Sequence, residues 1–278
     1  MRFSSGSTSP RLPECSITCA AVEPGFHLFR SIRVASLCLT AILPGPLKRA
    51  VFRSIFGFRI GRRVKIGLAF LDCETLSIGD DAGVGHGVAF VRTGSVTIGD
   101  HVRIGPLNLF RGGQTIALAE YSEFLRLNVV NAIPDNDCYG TPTPAFSLGA
   151  GAVVTSSHWI DCTDRVSIGR RSIVGGRSSS VWTHNRRRSA PVSIGDYCYV
   201  GSEVRIGPGA AIPDCSIVGL GSVVLSSFTE PFTLIAGSPA RAIRPLTEAD
   251  ADTIFGKTRP DLPDEPTPTI PREQERVV

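Results

Sequence analysis

Proton transfer near neutral pH calls for an imidazole, and the sequence carries five: His27, His86, His101, His158 and His184. With an unperturbed pKa of about 6.5, a histidine can take a proton from a hydroxyl while that hydroxyl attacks another centre. His158, in SSHWI, and His184, in VWTHN, lie in the second half of the chain, whereas His27, His86 and His101 read as solvated or cap residues. Arg186, Arg187 and Arg188 follow soon after His184 and offer either a phosphate grip or a solvated loop. The eight cysteines are scattered, with neither a CxxC pair nor a cysteine–histidine zinc spacing. They predict reduced, space-filling thiols in a cytoplasmic protein.

What must position these residues is a count of six. In VSIGDYCYVGSEVRIGPGAAIPDCSIVGLGSVV, residues 192–224, an aliphatic residue returns at Ile194, Val200, Ile206, Ile212, Val218 and Val224. A helix favours spacings of three and four, and a half-buried strand a spacing of two. Six suits a short strand plus a corner. Three such faces make one coil of a triangular prism, in which each inward side chain stacks on its counterpart one strand spacing, about 4.8 Å, along the axis. A single coil cannot bury its apolar side, so the coils must stack continuously. The same rhythm runs from Ile60 to Ile104 and from Leu148 to Val174, and fades between about Phe110 and Ser147, where irregular coil and a loop are expected. From Ile168 to Ile194 the chain exceeds three sixes by eight residues, which places a bulging loop around Asn185 to Pro191.

The flanks differ in kind. Residues 1–25 read as a loose leader without the charged start, apolar core and cleavage site of a signal peptide. Residues 26–57 alternate apolar runs with arginine and lysine and are broken by Pro44 and Pro46, which predicts two helical pieces. They could cap the repeats, or rest on a membrane surface through residues 29–55 at the inner face of a membrane. Residues 58–245 form the repeat domain, and 246–278, rich in proline and charge, read as a disordered acidic tail. The formal charge of +4 divides into a basic body and a tail with eight acidic against four basic residues. Such a body favours anions, but no stripe is dense enough for a nucleic-acid interface.

The repeats, followed by GSVVLSSFTEPFTLIAGSPARAIR at 221–244, resemble the hexapeptide-repeat acyltransferases over roughly residues 55–245. SSHWIDCTDRVSIGRRSIVGGRSSSVWTHN, residues 156–185, is similar to the O-acetyltransferase branch that includes the maltose and galactoside enzymes and sugar-modifying enzymes of polysaccharide synthesis. The resemblance implies an all-β fold, a left-handed parallel β-helix with a short N-terminal helical segment. It also implies a homotrimer with acetyl-CoA as donor, a sugar hydroxyl as acceptor, no metal, and active sites between neighbouring subunits.

In that family the catalytic base stands where His184 does, and the residue after a repeat glycine supplies an oxyanion amide, which here is Ser202 after Gly201. Acceptor contacts fall to His158, Trp182 and Asn185. His158 is also a rival for the base, or a histidine that satisfies a corner hydrogen bond. Trp182 and Trp159 suit a sugar-stacking rim or a subunit seam. The donor would run along Gly201, Gly219, Gly221 and Ser222, with Arg241 and Arg244 near the nucleotide end; those glycines serve turns equally well. Where relatives often carry Thr-Lys after the last repeat, this chain has Ser226-Ser227. The same β-helix occurs in zinc-dependent anhydrases, but these need three histidines and only His158 and His184 lie in the relevant half. The alternative from another class is a non-enzymatic scaffold or binding protein.

Overall fold

The computed structural model describes residues 24–134, 141–255, 262 and 268–271, with side chains from residue 30 onward. Parallel strands of the repeat stack on three faces. The first face carries a buried column from Ile60 through Ile98 and Ile168 to Ile212. The second runs from Ile66 through Phe124 and Val200 to Ile235, and the third from Leu71 through Phe110 and Ile160 to Val224. The result is a left-handed parallel β-helix of about nine turns. The spacing of six is thus one face of the prism.

Between Phe110 and Ser147, where irregular coil is expected, the β-helix continues. Leu118, Phe124 and Val130 keep the three columns and are fully buried. The rhythm is obscured because these coils are longer: Ile78, Ile98 and Leu118 stack at 20-residue intervals, and Leu148 follows after 30. Most of the added residues leave at the corner between the third and first faces. Phenylalanines replace the aliphatic column there. Phe90 and Phe110 stack with centroids 4.4 Å apart, and Phe124 meets Phe146 edge-on at 5.8 Å. Such pairs contribute about 0.5–1.5 kcal/mol each beyond their burial.

Helices α1 (Pro24–Ala41) and α2 (Gly45–Ser54) sit at the N-terminal end. The first coil has no coil beneath it, so its carbonyls face outward, and an unpaired buried carbonyl is costly. Three cations of α2 close that end. Lys48 Nζ donates to Gly67 O at 2.6 Å, Arg49 Nη1 to Val64 O at 3.0 Å, and Arg53 Nε to Ile60 O at 3.1 Å. Burial lowers the pKa of Lys48. The cationic side of α2 therefore faces the β-helix. The outward side of the pair carries Ile32, Leu39, Ile42, Leu47 and Ile55, each more than half exposed. No helix among the described residues is long and apolar enough to cross a membrane.

The chain after 245 departs from the expected disordered tail as far as it is described. Glu248–Asp250 and Ala251–Ile254 (α3) are helical turns, and Leu246, Ile254 and Ile270 are buried with Tyr197, Cys215 and Ile217. A few apolar side chains, spaced to reach one groove, outweigh a polar average composition. The leader at 1–23 and most of 256–278 lie outside the described residues. Cys73, Cys162, Cys198 and Cys215 are buried free thiols. Burial pushes the first three up to about 12 and Cys215 to about 11, so they are inert fillers.

Candidate active site

The site is built on two adjacent coils. Val181 stacks on Ile160 on the third face, which brings the residues that follow each of them, Asp161 and Trp182-Thr183-His184, to one corner. Past this corner the extra chain forms an antiparallel hairpin, with His184 paired to Ser189 and Asn185 to Arg188.

Asp161 is 1% exposed, and six donors converge on it. Its Oδ1 accepts from the Thr163 hydroxyl at 2.6 Å and the Thr163 amide at 3.3 Å. Its Oδ2 accepts from the Thr183 amide and hydroxyl, both at 2.9 Å, from the His184 amide at 3.2 Å and from His184 Nδ1 at 2.7 Å. A carboxylate among six donors acts only as an acceptor, so His184 Nδ1 carries the hydrogen and Nε2 keeps its lone pair. The His184 side chain is 22% exposed. The corner therefore holds a histidine fixed in tautomer and orientation by a buried acid, with Nε2 making no hydrogen bond among the described residues. That arrangement suits general-base chemistry.

His158 is placed otherwise. It is 2% exposed, at the corner between the second and third faces, within a buried ladder of polar side chains. Asn108 Oδ1 accepts from the Asn128 amide, Asn128 Oδ1 from the His158 amide, His158 Nδ1 from the Ser179 amide at 3.1 Å, and Ser179 Oγ from the Val204 amide. His158 Nε2 donates to Thr155 Oγ1 at 2.9 Å. Both ring nitrogens are used, and burial lowers its pKa to about 4. The acceptor contact expected of His158 is thereby corrected: it is a rung of the ladder. His86 likewise accepts from the Leu68 amide, and His101 stacks on Tyr121.

Trp182 and Trp159 stack with centroids 6.3 Å apart, each about 40% exposed, and form an apolar platform beside His184. Asn185 has a part in the hairpin itself. Its Oδ1 accepts from the Arg187 and Arg188 amides at 2.8 and 2.9 Å, so it shapes the hairpin turn. A Cβ on Gly209 would collide with the Arg188 guanidinium, which packs there.

Ser202 lies away from His184 within one chain. The strand Arg205–Ile206 pairs with Ser180–Val181; Ser202 stands before that face and His184 after it. The two ends are on the order of 15–20 Å apart. The Ser202 amide makes no hydrogen bond among the described residues, and Ser202 Oγ accepts from the Arg177 amide at 3.3 Å. The Gly221 amide donates to Ser202 O, so the two share one corner. Gly221 adopts φ +69° with nothing within 4 Å of a Cβ, and the surface beside it is open. At the tighter Gly201 and Gly219 a Cβ would lie 3.0 and 3.1 Å from the next turn. The Ser222 hydroxyl donates to Gly219 O and accepts from the Gly237 amide. Arg244 meets Asp250 in two contacts of 2.7 and 3.0 Å, while Arg241 stands exposed on the strand Ala240–Pro245. Asp161 is the residue that sequence reasoning missed. The available signal was its place directly after Ile160, one coil beneath Val181.

No protein-family model matches the chain. A stretch of 67 residues is 39% identical to the galactoside O-acetyltransferase of Escherichia coli, covering 24% of this chain and 32% of that protein. Another comparison gives 41% identity over 63 residues with a candidate acetyltransferase of Saccharomyces cerevisiae, covering 23% and 32% of the two chains. Over these stretches the chain is similar to acetyltransferases. It spans about a third of the length of these curated relatives. Solved structures similar to it include a hexapeptide-repeat acetyltransferase of Vibrio cholerae, 18% identical over 82% of this chain and 96% of that one, with a TM-score of 0.36. A polySia-specific acetyltransferase is 16% identical over 68% and 86%, with a TM-score of 0.35.

Proposed function

We propose that this protein is an O-acyltransferase that moves an acetyl group from acetyl-CoA to a hydroxyl of a sugar or polysaccharide precursor. The observation that carries the reading is His184, held through Nδ1 by buried Asp161 with Nε2 free at the surface. In the reaction Nε2 removes the acceptor hydroxyl's proton as its oxygen attacks the thioester carbonyl. The resulting imidazolium is stabilised by Asp161 and returns the proton to the departing thiolate of CoA. The tryptophan platform supplies an apolar face for a sugar ring.

The oxyanion donor in this reading is the Ser202 amide of a neighbouring copy, because one chain keeps Ser202 and His184 at opposite ends of a face. Leu68, Leu107, Leu127 and Leu220, each at least half exposed at the corner that bears Ser202, support a seam there in a trimer. Gly201, Gly219, Gly221 and Ser222 on that corner would line the donor's pantetheine arm, with Arg241 at its nucleotide end. Among the described residues no three His, Cys, Asp or Glu side chains converge on one point.

The test is release of free CoA thiol from acetyl-CoA across a panel of sugar acceptors. Acceptor-dependent release that His184→Ala abolishes supports the reading. Absence of release with every acceptor, with acetyl-CoA failing to bind, would leave a scaffold or binding protein.

A further inference from the structure

The corner that carries His184 continues toward the N-terminal cap as a basic groove. On the coils beneath lie two adjoining clefts that share Arg92, a residue outside the machinery described above. The smaller, of about 300 Å³, is lined by Arg92, Arg111 and the Gly112-Gly113 turn, and none of the described residues in its wall is acidic. The larger, of about 580 Å³, is lined by Arg92 together with Arg30 and Arg33 of α1, Asp72 and Glu74. Arg33 is already used there, against Asp72 at 3.4 Å and the Cys73 carbonyl at 2.6 Å.

Arg92 is set out from its strand. The register between Phe70–Ile78 and Ala89–Ile98 shifts between Asp72 and Cys73, and Arg92 is the unpaired extra residue, with φ +53°. A bulge of this kind re-aims a side chain, and a non-glycine residue in the left-handed region costs free energy that its surroundings must supply. Arg92 and Arg111 are exposed and have no ion-pair or hydrogen-bonding side-chain partner among the described residues. Between them Gly112 and Gly113 are both left-handed, at φ +68° and +85°. The Gly113 amide has no hydrogen-bond acceptor among the described residues. Two guanidinium groups over a turn that presents a free backbone N–H form a concavity for a compact multivalent anion.

We infer that the Arg92–Arg111 cleft is a phosphate subsite of the acceptor, so that the acetylated glycan is diphosphate-linked, with its second phosphate and what it is joined to lying in the larger cleft. This rests on the acetyl-transfer reading of His184. Phe110, Val130, Ile160 and Val181 follow one another on the third face, so Arg111 lies three strand spacings, about 14 Å, below the coil that carries His184. The reacting hydroxyl is thus at least one sugar unit removed from the diphosphate. The same chemistry could come from a nucleotide-linked or a lipid-linked oligosaccharide.

The first experiment needs no catalysis: calorimetric titration of the full-length protein with inorganic pyrophosphate at physiological ionic strength. We expect binding that Arg92→Gln and Arg111→Gln each weaken about 10-fold or more, with unchanged circular dichroism and melting temperature. No binding, or binding that neither substitution weakens, overturns the subsite. The second measures acetyl transfer to one oligosaccharide presented free, joined to a soluble nucleoside diphosphate, and joined to a polyprenyl diphosphate in phosphatidylcholine vesicles. A diphosphate form should show the lower KM, and Arg111→Gln should erase that advantage while leaving kcat; the preferred form names the source. Equal KM for the free and both linked forms overturns the proposal. Arginine-dependent pyrophosphate binding without transfer to any form would sink the acetyl-transfer reading and leave the anion subsite standing.

Discussion

Two corners of the prism each hold a histidine, and the two are put to opposite uses. At the corner between the second and third faces, His158 receives a backbone N–H on Nδ1, gives its own hydrogen to Thr155, and is shut away from water. At the corner between the third and first faces, His184 gives its Nδ1 hydrogen to a buried carboxylate and leaves Nε2 facing out. Neither residue type nor proximity to a tryptophan separates them. What does is the corner: the ladder corner turns within the repeat and keeps its polar residue inside, whereas the other admits extra chain and turns its residue outward.

The largest effect should come from removing the free nitrogen. His184→Ala is expected to lower kcat by about 10²–10⁴-fold, with kcat/KM falling in step and the melting curve little changed. A folded His184→Ala protein that keeps most of its kcat would break the contrast between the corners.

Asp161 sharpens the contrast. Replacing it by Asn puts amide hydrogens against groups that already donate, and disrupting a buried charged partner costs about 3–5 kcal/mol. Asp161→Asn should therefore melt earlier and lose kcat as well. Because the two residues act as a unit, the Asp161→Asn/His184→Ala double variant should have the kcat of His184→Ala alone; additive losses would show that the acid acts separately.

His158 should matter to stability rather than to rate. Its folded pKa of about 4 lies below its unfolded value, so the unfolded chain binds the extra proton first. Stability is then full above about pH 6.5 and is lost as pH falls toward 4, by roughly 3 kcal/mol in all. His158→Asn places in this rung the residue found at Asn108 and Asn128, and should remove that dependence while leaving acceptor KM unchanged. A raised acceptor KM in a stable His158→Asn protein would restore the substrate contact. The smallest effect belongs to Asn185→Ala, which loses two turn hydrogen bonds; about 1–2 kcal/mol of stability should go, with KM unmoved.

The columns from Ile60 to Val224 were legible because inward aliphatic side chains must recur once per face. The coils around Leu118 and Phe124 were not, since two extra residues at a corner break a count without breaking a stack. His184 could be picked out through family likeness together with the excess of eight residues after Ile168. Asp161 could not, because its partnership with His184 spans 23 residues and exists only once Val181 lies over Ile160. The burial of Leu246, Ile254 and Ile270 was hidden in the same way: contact with Tyr197 and Cys215 is a property of the coiled chain, not of the tail's composition.

The most direct measurement is the tautomeric state of the two rings, read by long-range ¹H–¹⁵N correlation on histidine-labelled protein near pH 8. The account predicts that His184 carries its hydrogen on Nδ1 and His158 on Nε2, with the His184 signal alone lost in His184→Gln. A His184 ring protonated on Nε2 would mean that its outward nitrogen is a donor, and would contradict the assignment of His184 as the base.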